Sequence, residues 1–112
     1  MTAEPRSVRV MADYDCDPLW LIGEGFYANV SPADPRLSLT ADLAESLRVW
    51  AEEYTGTLNR SDPIASGFPT PEAEREFAAR GEELARRVRA ELSAEWTVFY
   101  FDESVREHRE IG

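Results

Sequence analysis

This chain contains no lysine, a single cysteine and a single histidine. With Cys16 alone, no internal disulfide can form, and no Cys and His pairs stand at the spacing a zinc site needs. Positive charge is scarce, since 12 Arg stand against 22 Asp and Glu for a net charge of -10. That imbalance disfavours nucleic acid as a partner, because neutralisation of phosphate by cations supplies much of the affinity there. It leaves two readings: a surface that keeps the protein soluble, or one that meets a basic partner. Arg as the only long cation also fits a GC-rich coding sequence. No stretch approaches eighteen apolar residues, so no membrane span is expected. Met1 to Arg9 carries no apolar core of a signal peptide, and the expected location is the cytoplasm.

What is present is enough for a core. A 43% hydrophobic content with 12 aromatics argues against disorder. A chain of 112 residues reads as a single domain, 1–112, that buries roughly two-thirds of its unfolded surface without metal or disulfide. The organising stretch is Val8 to Gly25. Val8, Val10 and Ala12 alternate with Arg9, Met11 and Asp13, the two-residue period of a strand with one buried face. Leu19 to Ile22 is a continuous apolar run that fits a strand covered on both faces. Between them, Asp13, Asp15, Asp17 and Pro18 make a turn-forming acidic loop, so a hairpin is expected. Glu24 to Pro35 reads as a loop, within which Phe26, Tyr27 and Val30 are either a short third strand or pins to the core.

Two helices follow. Thr40 is placed as an N-cap, Leu39 as a staple, and Leu43, Leu47, Trp50, Tyr54 and Leu58 recur at helical steps. Thr70 caps the second helix, with Pro71 at its first position, acids at its start and Arg86, Arg87 and Arg89 toward its end. Gly81 on its apolar side predicts a close approach to the sheet or the first helix, since glycine there costs about 1 kcal/mol relative to alanine. The connection 59–70 is long for a helix pair and holds Phe68 between Gly67 and Pro69, either as a plug for the helix ends or as a contact residue. Trp96 to Phe101 is the clearest strand. The charged tail, 103–112, is read as a last helical turn or a frayed end. The expected fold is therefore α+β: a two-layer sandwich, β-β-α-α-β, with a three-stranded sheet in the preferred order 2-1-3 and two antiparallel helices on one face. Trp20, Trp50 and Trp96 all fall on apolar stripes and are expected in the core.

No residue pattern specifies catalysis, and no cofactor or metal is expected. Asp13, Asp15, Asp17 and Glu24 match the acidic spacing of a calcium loop, but Pro18 occupies the position of its turn glycine and a strand follows. Carboxylates around Cys16 raise a thiol pKa, which makes a poor nucleophile. Pairing Cys16 with His108 rests only on there being one of each, and Gly23-x-Gly25 lacks the rest of a nucleotide fingerprint. The residues expected to meet a partner are Asp13, Asp15, Asp17, Glu24, Tyr27 and Phe68, since aromatic anchors ringed by carboxylates suit a basic protein.

Ala12-Asp13-Tyr14, Asp17-Pro18-Leu19-Trp20 and Ser66-Gly67-Phe68-Pro69 carry a resemblance to small acidic proteins of GC-rich bacteria, some of which resemble immunity proteins for secreted polymorphic toxins. The resemblance implies a non-enzymatic inhibitor that covers a toxin's active site. Apart from the resemblance, the chain is expected as a monomer or as a homodimer in which the last strand, at a sheet edge, pairs with its copy. The alternative is a small-molecule-binding protein or enzyme with a cleft near Gly23 to Tyr27.

Overall fold

The alternating run that starts at Val8 becomes the middle strand of a mixed sheet in a computed structural model, which describes residues 6–112. The elements are β1 (Ser7–Val10), β2 (Leu19–Gly23), β3 (Phe26–Val30), α1 (Ala41–Thr55), α2 (Pro71–Glu91), β4 (Thr97–Asp102) and β5 (Glu107–Ile111), with one 3-10 turn at Pro63–Ala65. The order across the sheet is β3-β2-β1-β4-β5. β1 runs parallel to β4, and every other pairing is antiparallel.

The α+β class stands, with two helices against a sheet, but the sheet has five strands and not three. Two edges account for the difference. β3 buries Val30 and half-buries Ala28, while Phe26 on the same face stays exposed at the hairpin end, so the strand lacks a clear apolar alternation. β5 replaces the expected helical turn or frayed tail, and it has a single apolar anchor, Ile111, paired opposite Val98 and 4% exposed. Its other inward residue, Arg109, lies over the Tyr100 ring and donates to Glu82 and Asp102, so ion pairing fills the place that an apolar side chain would take. The turn before β5 has Arg106 at φ 53, a conformation that L residues adopt at a cost.

Helix ends follow the capping expected of them. Thr40 accepts from the Leu43 N–H and Thr70 from the Ala73 N–H, each satisfying an orphan donor of the first turn. The helices are antiparallel, because Asp42 and Thr40 at the start of α1 meet Arg87 and Glu91 at the end of α2, while Glu53 near the end of α1 pairs with Arg80. Both cover the sheet face carrying Val8, Val10, Leu19, Leu21, Val98 and Tyr100, all fully buried. Gly81 is where α2 comes closest. A Cβ there would stand 2.4 Å from both the Trp50 ring and the Tyr100 hydroxyl. Trp50 and Trp96 are buried, whereas Trp20 is only half-buried and points to the other face of the sheet, where no helix lies. Among the described residues no helix is long and apolar enough to cross a membrane.

Candidate functional site

The acidic loop is held in one shape by bonds to three neighbours. The Met11 N–H donates to the Pro18 carbonyl at 3.0 Å, closing the loop at its root, and the Trp20 indole donates to the Met11 carbonyl. Asn29 of β3 accepts from the Asp17 N–H at 2.9 Å and donates to the Asp17 and Leu19 carbonyls. The Asp15 N–H donates to the Thr55 hydroxyl in the last turn of α1, and Tyr14 stacks on Tyr54 with ring centroids 4.8 Å apart. Asp15 sits at φ 58, a left-handed conformation that Asp tolerates better than most residues.

β1 and β4 are parallel, so the loops that leave their carboxyl ends lie at the same end of the molecule. The turn after β4 brings Glu103 within 3.3 Å of the Tyr54 hydroxyl. The connection between the helices joins them there. Arg60 reaches both oxygens of Asp15 at 3.1 and 2.7 Å, and Phe68 packs on Tyr54 and Phe77 with centroids 6.2 and 5.0 Å away. α1 also ends here with no basic residue in its last turn, so the negative pole of its dipole is not countered within the helix.

Of the six expected contact residues, Asp13, Asp15, Asp17 and Phe68 are thus gathered at one end. Asp13 and Asp17 are exposed and, among the described residues, have no cation partner; Asp15 is engaged by Arg60, which holds its carboxyl below the usual carboxylate range. Phe68 is half-buried against the core. Glu24 lies at the opposite end of β2, about 17 Å along the strand at the usual rise. Tyr27, 55% exposed, stands on the sheet face away from the helices. Gly23 to Tyr27 forms the β2–β3 hairpin, whose Gly25 has φ 68 and whose residues from Glu24 to Tyr27 are exposed.

Glu103 is the residue of this end that sequence reading passed over. It falls in a tail with no periodicity, and only the pairing of β4 with β5 turns it back toward Tyr54. A concavity of about 310 Å³ lies between the acidic loop and α1, lined among others by Asp15, Asp17, Glu52 and Arg48. Arg48 is already bonded to Glu45 and Glu52. The hollow therefore presents more negative than positive charge and has room for an arginine or lysine side chain. Burial first, and then Asp13, Asp15 and Asp17, push the Cys16 thiol up, so it stays protonated and unreactive at neutral pH. Among the described residues no group of three or more His, Cys, Asp or Glu is placed to hold a metal ion.

A family model described as Serratia CdiI immunity protein-like matches residues 6–103. No curated protein matches the chain.

Proposed function

Because the chain belongs to the Serratia CdiI immunity protein-like family, we propose that it neutralises a toxin by binding it through the acidic end of the molecule. The observation that carries this reading is the convergence of the Asp13–Asp17 loop, the connection 59–69 and the turn after β4 at one end, with Asp13 and Asp17 left unpaired among the described residues. A basic surface would meet the negative potential of these loops first, which raises the association rate more than the final affinity. The loop is already clamped by Asn29, Thr55 and Tyr54, so little conformational freedom is lost on docking. No step of chemistry is required of this protein; blocking access to the toxin's active site is sufficient.

The test takes as partner whichever toxin domain the neighbouring gene is found to encode, its residual activity and its binding measured together. The wild-type protein binds and inhibits it. The Asp13→Arg, Asp17→Arg double variant, whose changes are at exposed positions, stays folded and binds at least about ten-fold more weakly. Full inhibition by that variant at unchanged affinity refutes the acidic end as the docking surface. Failure of the wild-type protein to bind refutes the inhibitor role itself.

A further inference from the structure

The helices cover one face of the sheet and leave the other without a layer. On that open face Trp20 stacks on Tyr27 at 5.3 Å between ring centroids on β2 and β3, and Phe99 stacks on His108 at 4.9 Å on β4 and β5. Arg9, on β1 between them, extends across β2 so that its guanidinium lies 5.3 Å from the Tyr27 ring centroid and donates to the Tyr27 hydroxyl. Its Nε is buried with no hydrogen-bond partner, and among the described residues no carboxylate pairs with it. In a chain with ten more acids than cations, a central arginine left without a carboxylate is unexpected. On the same face Glu110, opposite Phe99, is exposed and likewise has no cation partner among the described residues.

From this arrangement we infer that the open sheet face is a homodimer interface, in which each copy's Arg9 meets the other copy's Glu110 and each copy's Trp20 covers the other copy's Phe99. The symmetry of the sheet dictates the match. β1 is the middle of five strands, so a two-fold axis lying along β1 between two facing sheets carries β2 over β4 of the second copy and β3 over β5. Trp20, level with Arg9, then lies over Phe99 of the second copy, while Tyr27, level with Ser7, and His108, level with Phe101, stand toward opposite ends of the face. The guanidinium that has reached out to β3 lies over the strand that bears Glu110. The contact repeats twice per dimer, as an isologous interface must. Strands related in this way run nearly aligned, the usual arrangement of stacked sheets.

Charge also selects this face. Arg9 and Glu110 cancel each other, so the net charge of -10 resides on the rest of the chain, where two copies repel. The face measures about 24 Å by 17 Å from strand spacing and rise. That is small against the roughly 800 Å² per partner of a standard interface, so the dimer dissociates on dilution.

Sedimentation velocity over a range of concentrations up to about 1 mM, without toxin, tests the inference. The wild-type protein shifts from monomer to dimer as concentration rises. Glu110→Arg, which sets two arginines against each other, weakens the dimer at least about ten-fold. The double variant Arg9→Glu, Glu110→Arg restores it to within a few-fold, a rescue that a merely structural role for either side chain would not produce. A wild-type protein that stays monomeric overturns the inference, as does a dimer that Glu110→Arg leaves unchanged or that the charge swap fails to restore. Since toxin is not in the experiment, its result is independent of the acidic end.

Discussion

Gly81 is the position where one methyl group decides the packing of three elements. Its α carbon faces the Trp50 ring and the Tyr100 hydroxyl, and both neighbours are pinned, Trp50 by donating to the Phe77 carbonyl at 3.0 Å and Tyr100 by donating to the Ala78 carbonyl at 2.8 Å. Neither can move aside without giving up a buried hydrogen bond. Gly81→Ala gains about 1 kcal/mol of helix propensity. It loses more to overpacking, which typically costs 1–3 kcal/mol, and to any displaced bond. We expect a net destabilisation of roughly 1–3 kcal/mol by urea titration; a variant more stable than wild type would show that α2 can shift. Asn29 does comparable work at the surface, where one amide satisfies three backbone groups of the acidic loop. Asn29→Ala lowers stability by about 1 kcal/mol, and amide exchange at Asp17 accelerates because the loop loses its clamp.

The β4–β5 hairpin depends on one apolar contact and one charged one. Ile111→Ala removes the buried anchor of β5 and costs about 2–4 kcal/mol. Amide exchange then rises across Glu107–Ile111 before it rises in β1, which distinguishes local fraying from global unfolding. The charged contact carries a pH dependence. Burial pushes the Asp102 carboxyl up, but bonds from the Ser104 hydroxyl and N–H and from Arg109 outweigh it and hold the pKa below its ordinary 3.8. A depressed carboxylate stabilises the fold fully above its unfolded value and loses that contribution as pH falls through the folded one. Stability therefore drops below about pH 4, and Asp102→Asn is less stable than wild type at pH 7 but loses less on acidification to pH 3. Equal losses in the two proteins would show that Asp102 is not the group that titrates.

Across the whole molecule the two faces of the sheet and its ends differ in what they carry. The helical layer closes the core, the carboxyl ends of the parallel strands collect the acidic loops, and the open face carries the aromatic stacks with Arg9 and Glu110. The docking proposed for the acidic end predicts that toxin association slows as salt rises from about 0.1 M to 1 M, because the screening length contracts from about 10 Å to about 3 Å. Dissociation changes much less, so stopped-flow rates rather than equilibrium titration resolve the effect. An association rate insensitive to salt would mean that long-range charge does not guide the encounter.

Local chemistry made much of this architecture legible from the residues alone. Thr40 and Thr70 announce helix starts through their hydroxyls, the apolar spacing from Leu43 to Tyr54 follows the 3.6-residue period of a one-sided helix, the close approach at Gly81 follows from its lack of a side chain, and Val8 to Ala12 and Trp96 to Phe101 declare strands by period and branching. β5 was hidden because Arg109 sits at an inward position, its charge met by Glu82 and Asp102 from elsewhere in the chain. Sequence alone places Trp20 in the core, because apolarity does not say which face of a sheet the helices will cover. Asp13, Asp15 and Asp17 are neighbours along the chain, but their meeting with Phe68 and Glu103, and their separation from Glu24, arise from the direction of each strand. Short-range propensity is written into neighbouring residues, whereas the grouping of distant charges depends on the register of the paired strands and exists only once the chain has folded.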